Sequence, residues 1–254
     1  MNPLTPSDGA SGFPGAPWAF RRAIARGEEL KIPTWGMGDA IISLVGAIGF
    51  SLIIGLGLMS QNIDPENGWG LIIAFSAPWL VMAGWPIIAT SIKGNGPKID
   101  LGLITSRAHL RLGFVAGLAS LLVASVVALI VTQITGPLSS TAGDIGLNQS
   151  GIVLVVFVLM AMFGAPIVEE IAFRGMLYGA LAKARINEHL VVIITALVFA
   201  LFHFEIKRFF ILFAIGIILG EVRRRTGSTS AAIVAHVVNN TPAALFILVT
   251  ALQS

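Results

Sequence analysis

Residues able to do hydrolytic chemistry lie close to one another in type and spacing along the second half of the sequence. The stretch GAPIVEEIAFRG, Gly164 to Gly175, carries the adjacent carboxylates Glu169 and Glu170 and the guanidinium of Arg174. It follows an apolar run from Gly151 to Met162. An ionised Asp, Lys or Arg at the centre of a membrane helix costs about 2.5–3.5 kcal/mol, so such a cluster needs pairing, water or an interfacial position. At about 100° per residue, Glu170 and Arg174 are four apart, share one helix face and can form an ion pair. Glu169 points about 100° further round and is left to accept a proton from something in a cavity. Pro166 lies just upstream, where its missing N–H loosens the helix ladder and admits water. The same residues also fit a plain charged turn where a helix meets the headgroups.

Two further segments give that carboxylate partners. FALFH sets Phe199 and His203 four apart on one helix face, and HVVNN does the same for His236 and Asn240. A lone His at a helix end is ordinarily an interfacial polar residue, but a His and an Asn in one apolar helix each need hydrogen-bond partners there. His109 and His189 stand beside charged loop residues and read as solvated. The set suits hydrolysis. A Glu can act as general base toward water, with a His holding that water. A His and an Asn can donate to the oxyanion formed when water attacks a carbonyl.

The elements that must position these residues are membrane helices. Of 254 residues, 56% are hydrophobic and only 11% charged, far below the roughly one quarter usual for soluble domains. Apolar runs reach the length of about 20 residues needed to cross a bilayer. The expectation is an all-α, polytopic bundle of seven spans, or eight if the motif helix counts separately, around an intramembrane cavity. Spans are expected near Ala40 to Ser60, Trp69 to Ile92, Leu112 to Ile134, Gly151 onward through Pro166, Leu190 to His203, Phe209 to Val222 and Ala231 to Leu252. Residues 1–38 read as a polar tail with a basic segment, 39–150 as N-terminal spans and 151–254 as the catalytic core. Within the first, Phe20 to Lys31 fits an interfacial helix on anionic lipid as well as a solvated basic flank.

Cysteine is absent, which removes disulfides, thiolate metal sites and a cysteine nucleophile. The net charge of +3 reflects basic loops, not a nucleic-acid partner. Basic residues collect at the N-terminal flank, Lys93 to Arg111, Lys183 to Arg185 and Arg223 to Arg225, which puts the N-terminus in the cytoplasm of a multi-pass plasma-membrane protein. Lys207 and Arg208 fall on the opposite side and break the pattern. Asp39 reads as the N-cap of the first span.

EEIAFRG (EExxxR), FALFH (FxxxH) and HVVNN (HxxxN), in that order, resemble the CAAX-protease and bacteriocin-processing family of intramembrane glutamate proteases, also called the Abi family. The text between the last two motifs, with Gly216 and Gly220 and a Thr-Gly-Ser turn, is also similar. The resemblance covers about Gly151 to Asn240. It implies a bundle of about eight helices whose cavity opens toward membrane and cytosol. It further implies Glu169 as catalytic base, His203 as its partner at the water, Glu170 and Arg174 as support, and His236 with Asn240 as oxyanion hole.

Other intramembrane proteases leave different marks. GMGD at Gly36 to Asp39 imitates an aspartyl-protease motif without its Tyr-Asp partner, GASG at Gly9 to Gly12 sits in the polar tail, and HExxH is missing. The function read here is an endopeptidase that cleaves a membrane-linked or lipidated peptide with Glu/His-activated water and no cofactor. A zinc-dependent, metalloendopeptidase-like variant on the Glu and His residues is the nearest alternative. A non-catalytic scaffold or regulator of the same fold, and a small-solute transporter with a Glu/His relay, are the rivals from other classes. The expected partners are the bilayer and a membrane-linked peptide or protein; prenylated tails, leader peptides and tethered regulators all fit.

Overall fold

A computed structural model describes residues 25–27 and 30–253. The expected interfacial helix at Phe20 to Lys31 falls largely outside the described residues. The described part is helical and without strands. Nine helices follow in order: α1 (Met37–Ser60), α2 (Gly68–Lys93), α3 (Pro97–Asp100), α4 (Arg107–Thr135), α5 (Thr141–Leu147), α6 (Gly151–Lys183), α7 (Glu188–Phe202), α8 (Phe209–Thr226) and α9 (Thr229–Gln253). Five of them, α1, α2, α4, α6 and α9, are long and apolar enough to cross a bilayer. Every expected span is a helix, but α7 is only 15 residues long and α8 ends in three arginines. The motif helix is not separate: it continues the Gly151 helix through to Lys183.

The surface is built for lipid. Leu56, Leu122, Leu129, Ile134 and Leu252 are each about two-thirds exposed or more. A belt of large side chains this extensive is a bilayer-facing surface, where the backbone groups are satisfied within each helix. Polar residues are instead turned inward; Glu170, Arg174, Ser120 and Thr195 are fully buried.

Helix ends follow local chemistry. Ser106 caps α4 by accepting from the His109 amide at 3.1 Å, and Asn187 caps α7 by accepting from that of His189 at 3.0 Å. Gly227, with φ of +64°, closes α8 in a left-handed turn that a side chain would strain. At α1 the N-cap is Gly36, not Asp39; the Asp39 carboxylate sits three residues in and accepts from the Gly36 amide at 3.1 Å. It also pairs with Lys93 at 2.6 Å. A Gly has no side-chain oxygen, so the acidic residue of the first turn supplies the cap from inside the helix.

Helices α4, α8 and α9 pack together, α7 lies along α8, and α9 crosses the first half of α6. Gly216 and Gly220 settle within this bundle. A Cβ on Gly216 would stand 2.9 Å from the Ala196 Cα, and one on Gly220 3.0 Å from Val192, so the pair seats α8 against α7. A core around Trp35, Leu44, Phe173, Met176, Val191 and Phe199 joins α1, α6 and α7.

Candidate active site

The motif helix changes its hydrogen-bond register on either side of the carboxylates. Residues Met160–Gly164 and Ile171–Leu177 are π-helical, and the α-helical turn Ala165–Glu170 between them contains Pro166. A proline at this position removes one amide from the ladder and crowds the carbonyl four residues earlier, and a wide turn relieves that crowding. The consequence is positional. The wide turns leave main-chain carbonyls open to side chains from other helices, at Ala161 and Arg174.

Glu170 and Arg174 form the expected pair. Nη1 of Arg174 donates to Oε1 of Glu170 at 2.8 Å, with both side chains wholly buried. Nη2 of Arg174 donates to the Gly216 carbonyl at 2.9 Å, and its guanidinium lies 4.7 Å from the Phe199 ring centroid. The same Glu170 oxygen accepts from Nδ1 of His236 at 3.0 Å. Since an ionised carboxylate only accepts, the His236 Nδ1 carries hydrogen and its Nε2 faces the other way. Oε2 of Glu170 and Nε of Arg174 are buried and meet no partner among the described residues.

Glu169 is different. Its Oε2 lies 3.9 Å from Nε2 of His203 and 3.9 Å from Nε2 of His236, too far for direct bonds. The His203 Nδ1 lies 2.8 Å from the Phe199 carbonyl, which can only accept, so this ring too presents Nε2 to the carboxylate. Three atoms with lone pairs in their neutral forms therefore converge on one gap. A separation of 3.9 Å is one that a single bridging water, about 2.8 Å from each of two such atoms, would span. Phe199 is the shared wall, edge-on to His203 at 4.7 Å and to His236 at 5.7 Å between ring centroids.

Asn240 stands one turn beyond His236. Its Nδ2 donates to the Ala161 carbonyl, in the first π turn, at 3.2 Å. That contact fixes the amide, because a carbonyl accepts only. Oδ1 of Asn240 then faces Asn239, whose Nδ2 donates at 3.3 Å, and Oδ1 of Asn239 accepts from the Ser120 hydroxyl at 2.9 Å. The second amide hydrogen of Asn240 remains for the cavity that both asparagines line.

All six residues singled out by sequence, Glu169, Glu170, Arg174, His203, His236 and Asn240, therefore meet around one center. Sequence reasoning did not assign Phe199, Asn239, Ser120 or the Gly216 and Ala161 carbonyls. The F-x-x-x-H spacing and the doubled Asn were the available signals. Arg223, read among the loop arginines, is buried: its Nε donates to the Arg174 carbonyl at 2.9 Å and its guanidinium stacks on Tyr178. Arg224 and Arg225 stay at the surface paired with Glu221. Half of the charge-pattern exception has a structural reason, since Arg208 turns inward to Glu205 at 2.5 Å, while Lys207 stays exposed.

Two cavities reach Glu169 and His203. One, of about 430 Å³, lies between α1, α2 and the end of α7 and is lined by apolar residues such as Leu52, Phe75, Trp79 and Phe202. The other, of about 230 Å³, is lined by Arg208, His236, Asn239 and Asn240. Among the described residues no group of three or more His, Asp or Glu side chains has the arrangement to hold a metal ion.

Residues 151–242 match the family model described as Rce1-like, Type II CAAX prenyl endopeptidase Rce1-like. The matched stretch runs from the start of α6 into α9 and contains every residue of the center. No curated protein and no solved structure matches the chain.

Proposed function

We propose that this chain, whose residues 151–242 belong to the type II CAAX prenyl endopeptidase Rce1-like family, is an intramembrane endopeptidase of glutamate type that cleaves a membrane-linked or lipidated peptide. The family assignment carries the coarser statement, a CAAX endopeptidase-type protease core within the membrane. The finer one rests on a single observation: Glu169 Oε2 stands 3.9 Å from Nε2 of both His203 and His236.

In this reading a water lies in that gap. Glu169 takes one proton from it as the oxygen attacks the peptide carbonyl, and His203 holds the water by its Nε2. The developing oxyanion is met by the spare amide hydrogen of Asn240 and by Nε2 of His236 in its protonated form, which the Glu170 carboxylate 3.0 Å from Nδ1 steadies. Collapse of the tetrahedral intermediate breaks the C–N bond, and Glu169 returns its proton to the departing amine. Glu170 and Arg174 touch no substrate; they orient His236. The apolar cavity seats the membrane-linked part of the substrate beside Glu169.

The zinc-dependent alternative would have to draw Glu169, His203 and His236 into a ligand arrangement they do not have as they stand. It predicts activity abolished by a chelator and restored by zinc, whereas the water reading predicts turnover indifferent to both. The direct test of the proposal is cleavage by purified protein carrying Glu169→Gln or His203→Ala. Loss of cleavage in both with an unchanged melting midpoint supports it. Parental rates in both variants end it, and favour the scaffold reading. Ion- or proton-coupled flux in liposomes without cleavage favours the transporter.

We place the protein in the plasma membrane with its N-terminus in the cytoplasm, because the basic clusters lie at one pole of the bundle. Asp64 and Glu66, in the loop after α1, and Asp144, on the short helix α5, lie at the other pole.

A further inference from the structure

The two cavities at Glu169 differ in what lines them, and that difference assigns them different traffic. They share only Phe75, Glu169 and His203. In the apolar cavity Ser51 is the sole other polar residue. The second cavity adds Ser140, Arg208, His236, Asn239 and Asn240 to the shared pair. It is continued by a third space of about 340 Å³, with which it shares Ser140, Arg208, Ile215, Asn239 and Ala243. This extension runs past Leu138 and Ser139 of the α4–α5 loop and the exposed Ser125 on α4.

We infer that the hydrolytic water reaches Glu169 through this polar passage, from the pole of the α4–α5 loop, and not through the apolar cavity. The basic clusters set that pole opposite the cytoplasm, whereas the resemblance implied a cytosolic opening. The inference rests on the hydrolase reading for the water's use, but the passage itself is a separate property of the fold. Buried water is found where two to four polar groups surround enough room, and this passage provides both along its length. A charged pair such as Glu205–Arg208 inside a bundle also costs far less to hold when water reaches it. The apolar cavity offers only Ser51 beyond the shared Glu169 and His203, so the rest of it stays dry or filled by hydrocarbon.

The mouth carries a tie. Oε2 of Glu205 accepts from Nη1 of Arg208 at 2.5 Å, and Oε1 accepts from the Thr141 amide at 2.8 Å. Glu205 therefore links the short turn after α7, which carries His203, to the first turn of α5. Arg208, held by that tie, lines both sections of the passage. Releasing Glu205 frees the two walls to part and widens the entrance.

The absence of cysteine makes the passage directly measurable, because single cysteines report alone. Four variants are compared in sealed membrane vesicles with hydrophilic, membrane-impermeant methanethiosulfonates of either charge. Ala243→Cys and Ile215→Cys line the passage, Ala74→Cys lines the apolar cavity, and Leu122→Cys faces lipid. The expected result is modification of the two passage cysteines at least about tenfold faster than of the other two, from one side of the membrane. Adding Glu205→Gln raises the rate at Ile215→Cys several-fold for both reagent charges. Equal rates at all four positions, or faster reaction at Ala74→Cys, overturn the passage; an unchanged rate with Glu205→Gln overturns the tie. The same labelling repeated with Glu169→Gln needs no turnover, so a failure of the passage and a failure of the protease reading are told apart.

Discussion

Glu169 and Glu170 are neighbours in sequence and opposites in setting. Glu170 is sealed: no exposed surface, one oxygen shared between Arg174 and His236, and a guanidinium stacked on Phe199 behind it. Glu169, one residue earlier, keeps a fifth of its side-chain surface and, among the described residues, has no partner within hydrogen-bond distance. On the proposed reading, that contrast gives the two carboxylates different work. A buried charge held by two partners has no freedom to take a proton from substrate water; a carboxylate facing a gap between two imidazoles has little else to do.

The sharpest way to break the contrast is to remove each carboxylate's charge. Glu169→Gln should lower turnover by about 10²–10⁴-fold, the range for losing a general base, with the melting midpoint unchanged. Kinetics and thermal melting of the purified variant read both. The sealed side should respond in stability first. Arg174→Met strands Glu170 in the core and should cost about 3–5 kcal/mol. Glu170→Gln with Arg174→Met should cost less than Arg174→Met alone, because no unpaired charge is left; denaturation of the two variants decides it. If the double variant is the worse, the ion pair stabilises the fold outright and does more than orient His236.

A smaller effect is expected at the relay behind Asn240. Asn239→Leu removes a hydrogen bond worth about 1 kcal/mol and should slow turnover several-fold, with KM unmoved. In an Asn240→Ala background the same change should do nothing further, so a double-mutant cycle separates positioning from packing. The smallest effect belongs to the surface: Arg225→Ala removes a two-thirds exposed partner of Glu221 and should leave both melting and turnover unchanged.

Much of this arrangement was legible in the residues. Apolar runs marked the helices, and three motifs at four-residue spacing marked the center, because spacing on a helix is a statement about direction. The register of the α6 backbone was not legible. A proline announces a disturbed ladder, yet which carbonyls it opens depends on what packs alongside, and only the structure shows Asn240 at Ala161 and Arg223 at Arg174. The arginines divide in the same way. Arg223, Arg224 and Arg225 look alike in sequence, but helix rotation buries the first and leaves the others at the surface. Arg208 broke the loop-charge pattern because that pattern counts residues near a pole, and this one turns into the bundle toward Glu205. Asp39 missed the cap position by three residues, since Gly36 takes the non-helical backbone while the carboxylate reaches back.

The central claim, that Glu169 activates water for peptide hydrolysis, is tested most directly in cells. Membranes from cells expressing the parent chain or Glu169→Gln at equal levels are compared by quantitative mass spectrometry of peptide termini. A membrane-linked species is expected to stay uncleaved with Glu169→Gln and to be shortened by the parent. Identical membrane proteomes, with both proteins present and folded, would contradict it.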